Sequence, residues 1–253
     1  MTQEAAVAPT FAVGRVLGTS TSVLFRNLVS FGVLALVLNL LPLLVEWAGG
    51  GGLGSATGLS DSGGLPAWGI QILSLLVSVV VSGLVTAALS YGVFHDLRGE
   101  PAGIVRCLSN GFASILPVVA ASVVFGFLIF LGMALFVIPG ILIWLAYLLF
   151  VPALVVEKRG IVDSFNRSSF LTKGRRWAIL GAWLVFGVVS VLGMVLLMVV
   201  AQLVSSGIVL PVIAYVWEAL ITAFSAVMTA VSYYYLRVDK EGVAIDEIAA
   251  VFD

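Results

Sequence analysis

Hydrophobic and polar positions along the chain fall into six long apolar runs divided by short polar ones. A hydrocarbon layer about 30 Å thick takes roughly 20 apolar residues of helix to cross. Residues 28–48, 68–93, 115–137, 140–156, 178–202 and 210–236 reach or approach that length, so the pattern predicts an all-α membrane bundle of six spans in a single domain. Pro152 is expected to kink the short fourth span. Ile138-Pro139-Gly140 is expected to turn the chain between spans three and four, because proline lacks a backbone donor and glycine accepts positive φ. Small residues at i, i+4 spacing, Gly83 and Ala87, Ala219 and Ala223, Ala226 and Ala230, predict faces where helix backbones approach closely.

The polar stretches carry a pattern of their own. From Thr10 to Asn27, Val13, Val16, Leu17, Ser20 and Leu24 share one helical face and Arg15, Thr19, Ser22 and Arg26 the other, which is the signature of a helix lying on the membrane surface. Residues 101–112 repeat the arrangement, with Ile104, Val105, Cys107, Leu108 and Phe112 opposing Arg106, Ser109 and Asn110. Residues 157–177 form a third, more basic segment. Each hairpin is thus preceded by an interfacial helix. Gly103-Ile104-Val105 recurs as Gly160-Ile161-Val162, and the pattern VFG, four residues, LGM, one residue, Leu runs from Val124 to Leu135 and again from Val185 to Leu196. These matches allow a parallel repeat of helix-plus-hairpin units, and equally allow chance in a chain so rich in Val and Leu.

Composition agrees with the pattern. Hydrophobic residues make up 61% and charged residues 10% of 253, against about 25% charge in soluble domains. The single cysteine, Cys107, rules out an intramolecular disulfide. The first ten residues lack the basic and apolar regions of a cleavable signal, so span one is expected to be a permanent anchor. The 12 Lys and Arg set the orientation: Arg15 and Arg26 precede span one, Arg98 and Arg106 lie between spans two and three, Lys158, Arg159, Arg167, Lys173, Arg175 and Arg176 between four and five, and Arg237 and Lys240 after six. The other three connections have none, including the Gly-rich residues 49–64, which lack a phosphate-loop ending and read as a linker. The positive-inside rule then places both termini, the basic segment and the 237–253 tail in the cytoplasm.

Two groups of residues offer chemistry. Lys158, Arg159, Arg167, Lys173, Arg175 and Arg176 are suited to anionic lipid headgroups, although the same cations serve equally as a topology signal. Asp163 and Arg167, spaced i, i+4, read as a helix-surface pair. Inside the spans, Glu218 lies about 15 Å from the outer end of span six, with no basic residue at matching depth. A carboxyl there is either a proton or cation site or a structural group hydrogen-bonded to Asn39, Gln71 or Gln202. His95 beside Asp96 lacks the further ligands of a metal site. No Ser-His-Asp set, metal-spaced cluster or facing carboxylate pair occurs, so neither enzymatic activity nor a cofactor is expected.

Glu157, Gly160, Arg167-Ser168, Leu171-Thr172, Gly174 and Trp177, preceded by Ile138-Pro139-Gly140 and Pro152 and followed by Tyr234-Tyr235-Leu236-Arg237 and Glu241-Gly242, resemble the membrane domain associated with glycerophosphoryl diester phosphodiesterases and related uncharacterised bacterial inner-membrane proteins. The resemblance covers most of the chain from about residue 10. It implies a helical module in a bacterial cytoplasmic membrane, connected with phospholipid or envelope homeostasis. The chain ends at Asp253 without space for the catalytic barrel, so the hydrolase activity is not implied. The resulting expectation is a non-enzymatic inner-membrane protein that binds or organises lipids, or anchors a partner complex. Its alternative is a permease-like protein using Glu218. Expected partners are membrane phospholipids with anionic headgroups and no nucleic acid, with a protein partner or a second copy left open.

Overall fold

The computed structural model describes residues 11–48, 67–97, 114–158, 160–203 and 209–242, all helical or in tight turns, with no strand among them. In chain order the helices are α1 (Val13–Arg26), α2 (Leu28–Ala48), α3 (Ala67–Leu97), α4 (Ile115–Leu135), α5 (Val137–Tyr147), α6 (Phe150–Glu157), α7 (Ile161–Thr172), α8 (Arg176–Leu203) and α9 (Val209–Glu241). Helices α2, α3, α4, α8 and α9, and α5 together with α6, are six units long and apolar enough to cross a membrane. The expected bundle is therefore present. The interfacial helix over 101–112 and the linker over 49–64 lie outside the described residues.

The two longest helices, α3 and α9, pack on each other at the centre, and the other elements surround them. At 1.5 Å per residue the 33 residues of α9 extend about 50 Å, well beyond a 30 Å hydrocarbon layer. Its last third forms part of the charged end of the bundle. There Val231, Tyr233, Tyr234, Tyr235, Leu236 and Val238 are buried under α1, α6 and α7. Span six and the expected tail from residue 237 are thus one continuous helix to Glu241, and His95 and Asp96 likewise belong to the last turn of α3. The expected close-packing faces hold: Ala87, Ala219, Ala223, Ala226 and Ala230 are all buried.

Helix α1 buries Val16, Ser20, Val23 and Leu24 against α9 and α8, as its amphipathic pattern predicts. Asn27 alone separates it from α2. The junction is held by Asp96, which accepts from the Arg26 guanidinium at 2.5 Å and from Asn27 Nδ2 at 2.7 Å.

The turn between spans three and four differs from expectation. It is made by one extended residue, Phe136, and Ile138-Pro139-Gly140 falls in the first turn of α5. Proline fits there because the first-turn amides have no helical partner. Gly140 serves close approach and not positive φ: a Cβ on it would meet Met133, and a Cβ on Gly132 would lie 3.0 Å from the Gly140 backbone.

Span four breaks at Leu148 and Leu149, ahead of Pro152, which occupies the first turn of α6. The break opens backbone groups in the middle of the span, and α7 closes them. Ser168 Oγ donates to Ala146 O at 2.8 Å and accepts from Leu149 N at 3.0 Å. Ser164, Ser168 and Thr172 form the buried polar face of α7, so this helix docks into the bundle along its hydroxyls.

Candidate functional site

A cavity of about 1170 Å³ lies between the spans and is lined by α2, α3, α4, α5, α6, α8 and α9. Its backbone is one face of α9: Pro211, Ala214, Tyr215, Glu218, Ile221, Thr222, Ser225 and Thr229 recur every three or four residues. From Pro211 to Thr229 that face is about 27 Å long. Ser78, Ser82 and Thr86 add a matching stripe on α3, and Asn39 contributes from α2. The remaining lining is apolar and aromatic, with Phe125, Trp144, Trp183 and Phe186 prominent. Trp144 and Trp183 meet edge to face at 5.1 Å, and Phe186 stacks on Phe224 at 5.0 Å.

The two copies of the VFG and LGM pattern place their residues alike. Phe125 and Phe186 both line the cavity. Gly132 lies against Gly140 of α5, and Gly193 lies beneath the Trp217 ring of α9, so each LGM glycine admits the next helix of its hairpin.

Glu218 and Asn39 share the cavity without touching. The Tyr215 hydroxyl donates to Leu36 O and fixes α2 against α9. Asn39 Nδ2 donates instead to Ala35 O at 2.8 Å. Glu218 stays exposed, with no hydrogen bond or ion pair among the described residues. Gln71 is exposed and does not line the cavity, and the Gln202 side chain is outside those described. Neither Asn39 nor Gln71 is therefore bonded to Glu218 among the described residues; Asn39 and Glu218 are two points on one polar wall.

Two of the six cations of the basic segment, Arg167 and Arg175, are engaged within the protein. Arg167 Nε lies 2.7 Å from Glu157 Oε1, and its other nitrogens meet Glu241 at 2.5 and 2.7 Å. Burial alone lowers the Arg167 pKa, but the hydrogen bonds and negative charges of Glu241 and Glu157 outweigh it and hold the pKa above the ordinary value. Tyr233 donates to the same Glu157 oxygen at 2.8 Å, and Arg237 reaches Glu241 at 3.1 Å. Arg175 pairs with Asp239 at 2.9 Å. Arg167 is thus clasped by α6 and α9, and the expected i, i+4 pair with Asp163 does not form. Asp163 sits instead in the first turn of α7, where a carboxylate complements the helix dipole. Phe170, which interrupts the polar face, carries Lys240 Nζ 4.6 Å from its ring centroid.

Lys173 is exposed, and Arg176 is partly buried at the start of α8. Lys158 closes α6 in a left-handed conformation at φ 49°. Arg159 lies outside the described residues. His95 is buried and packs on Tyr91 with the rings tilted and their centroids 4.3 Å apart. Among the described residues no group of His, Cys, Asp and Glu has the arrangement of a metal site.

The cavity had a sequence signal in the hydroxyls at 78, 82 and 86 and at 222, 225 and 229, each set on one helical face. What two separate spans leave unwritten is that these faces meet.

No curated protein and no solved structure matches the chain. A family match covers residues 101–236, from the segment preceding α4 into the charged end of α9. The chain belongs to that family, described as a domain of unknown function, DUF7847.

Proposed function

We propose that this is a non-enzymatic membrane protein that holds an amphiphilic, lipid-class molecule inside its bundle. The observation that carries the reading is the cavity: about 1170 Å³, elongated along α9, apolar and aromatic over most of its lining and hydroxylated along one wall. Ligand sites of this kind combine a mainly apolar lining with a few placed polar groups. Glu218 remains accessible at mid-span, so the space is reachable from outside the bundle. Lipid contact accordingly moves from the basic segment to the interior, since Arg167 and Arg175 are engaged within the protein. The positive-inside distribution supports an orientation with the charged end in the cytoplasm.

Native mass spectrometry of the protein extracted in mild detergent tests the reading. Wild type is expected to carry a bound amphiphile that the cavity-filling variants Ser82→Phe and Thr222→Phe lose while keeping wild-type helix content. Equal adducts in wild type and both filled variants would refute it. A second reading, a permease, is favoured by the intramembrane carboxyl on the polar wall. It requires flux of a solute into proteoliposomes that Glu218→Gln abolishes.

A further inference from the structure

The polar atoms of the cavity are committed in one direction. Thr86 donates to Ser82 O at 2.8 Å, Ser225 to Thr222 O at 2.9 Å and Thr229 to Ser225 O at 2.8 Å. Tyr215 donates to Leu36 O, and Asn39 Nδ2 to Ala35 O. Each of these hydroxyls spends its proton on a backbone carbonyl and keeps oxygen lone pairs for whatever enters, while Asn39 keeps its amide oxygen and a second N–H. Ser78, Ser82 and Thr222 carry hydroxyls that rotate to suit either role. Trp183 offers its ring and not its N–H, because Nε1 is itself buried. Among the described residues no Lys, Arg or His lines the space, whereas Glu218 lies open in it. The wall therefore offers an excess of acceptors and one acidic group.

That lining discriminates by charge. An anionic headgroup would meet the Glu218 oxygens and a wall without cationic donors among the described residues, so its charge would go uncompensated. A primary ammonium brings three donors and a positive charge, which match the carboxylate and the hydroxyl lone pairs. Trp144 and Trp183 add aromatic lining, a kind of surface compatible with a cation. The apolar remainder and the length of the α9 face suit an alkyl tail.

We propose that the cavity selects amphiphiles headed by a protonated primary amine, with the ammonium on Glu218 and the tail along the aromatic and aliphatic lining. This rests on the reading that the cavity holds an amphiphile, and it names the headgroup. It is opposite in sign to the anionic headgroups that the basic segment predicts.

The test compares dodecylamine, dodecanol, dodecanoate and tail-less ethylamine as probes of the full chain in phosphatidylcholine nanodiscs, with binding read by calorimetry. Dodecylamine is expected to bind at least tenfold more tightly than dodecanol, with dodecanoate and ethylamine weaker than either. Glu218→Gln is expected to erase the preference for the amine while leaving dodecanol binding in place, which also shows that the variant is folded. Equal binding of the three tailed probes, or an amine preference that survives Glu218→Gln, overturns the headgroup assignment and leaves the amphiphile reading standing. Absence of binding by every tailed probe, or ethylamine binding as well as dodecylamine, overturns both.

Discussion

Ser168 and Arg167 are adjacent on α7 and differ in what their loss exposes. Ser168 supplies both a donor to Ala146 O and an acceptor to Leu149 N at the break in span four. Ser168→Ala leaves Leu149 N without its acceptor and Ala146 O with only the longer bond from Thr172 Oγ1 at 3.4 Å, and a buried unsatisfied group costs about 1–3 kcal/mol. The expected result is a clear loss of thermal stability in detergent, while Asn166→Ala, on the exposed side of the same helix, stays within about 0.5 kcal/mol of wild type. Arg167 lies between Glu157 and Glu241, and the Glu157 side chain is only 8% exposed. Arg167→Met takes the cation from that buried carboxylate, which keeps the Tyr233 hydroxyl as a donor, at a cost of about 1.5–3 kcal/mol. Arg175→Gln removes a pair whose arginine is 41% exposed and is expected to cost no more than about 1 kcal/mol. Chemical unfolding of the two variants side by side measures the contrast. If the basic segment served only to orient the chain, the two substitutions would weigh alike.

At the scale of elements, α7 is where sequence reading and structure part most. Its polar residues and cations suggest a helix resting on the surface, yet Ser164, Ser168 and Thr172 are fully buried. Periodicity separates an apolar face from a polar one, but it does not distinguish hydroxyls that face water from hydroxyls that face a broken helix. The proline that makes the break necessary is 16 positions away in the chain, in another element. The turn at Phe136 failed to show for a related reason: Pro139 and Gly140 have two uses each, and only the neighbouring Gly132 decides between them. Gly193→Leu tests the corresponding approach on the other hairpin. The added side chain collides with the Trp217 ring, so the variant is expected to separate α8 from α9 and shift the Trp fluorescence, whereas Gly187→Leu, with open space around it, leaves the emission unchanged.

For the whole molecule, six runs of apolar residues sufficed to identify six spans, because burial in hydrocarbon demands a length that few other structures share. The cavity was not legible as a cavity. Its two polar stripes read singly as minor breaks in apolar helices, and their meeting depends on how α3 and α9 rotate against each other. Orientation remains a matter of charge: in a Cys107→Ser background, Ser62→Cys is expected to react with a membrane-impermeant maleimide on intact cells and Lys240→Cys only after permeabilisation. Labelling of both, or of neither, on intact cells would count against the orientation.

The repair of span four also sets an order of assembly. Ala146 and Leu149 leave the ribosome about 20 residues ahead of Ser168, which completes their hydrogen bonding. During that interval the nascent protein holds a broken span whose partner has not been made. A nascent chain arrested just after Glu157 is therefore expected to show its fourth segment more open to proteases and to membrane quality control than one arrested after Trp177. Biogenesis of this hairpin finishes only when the helix that follows it has folded back.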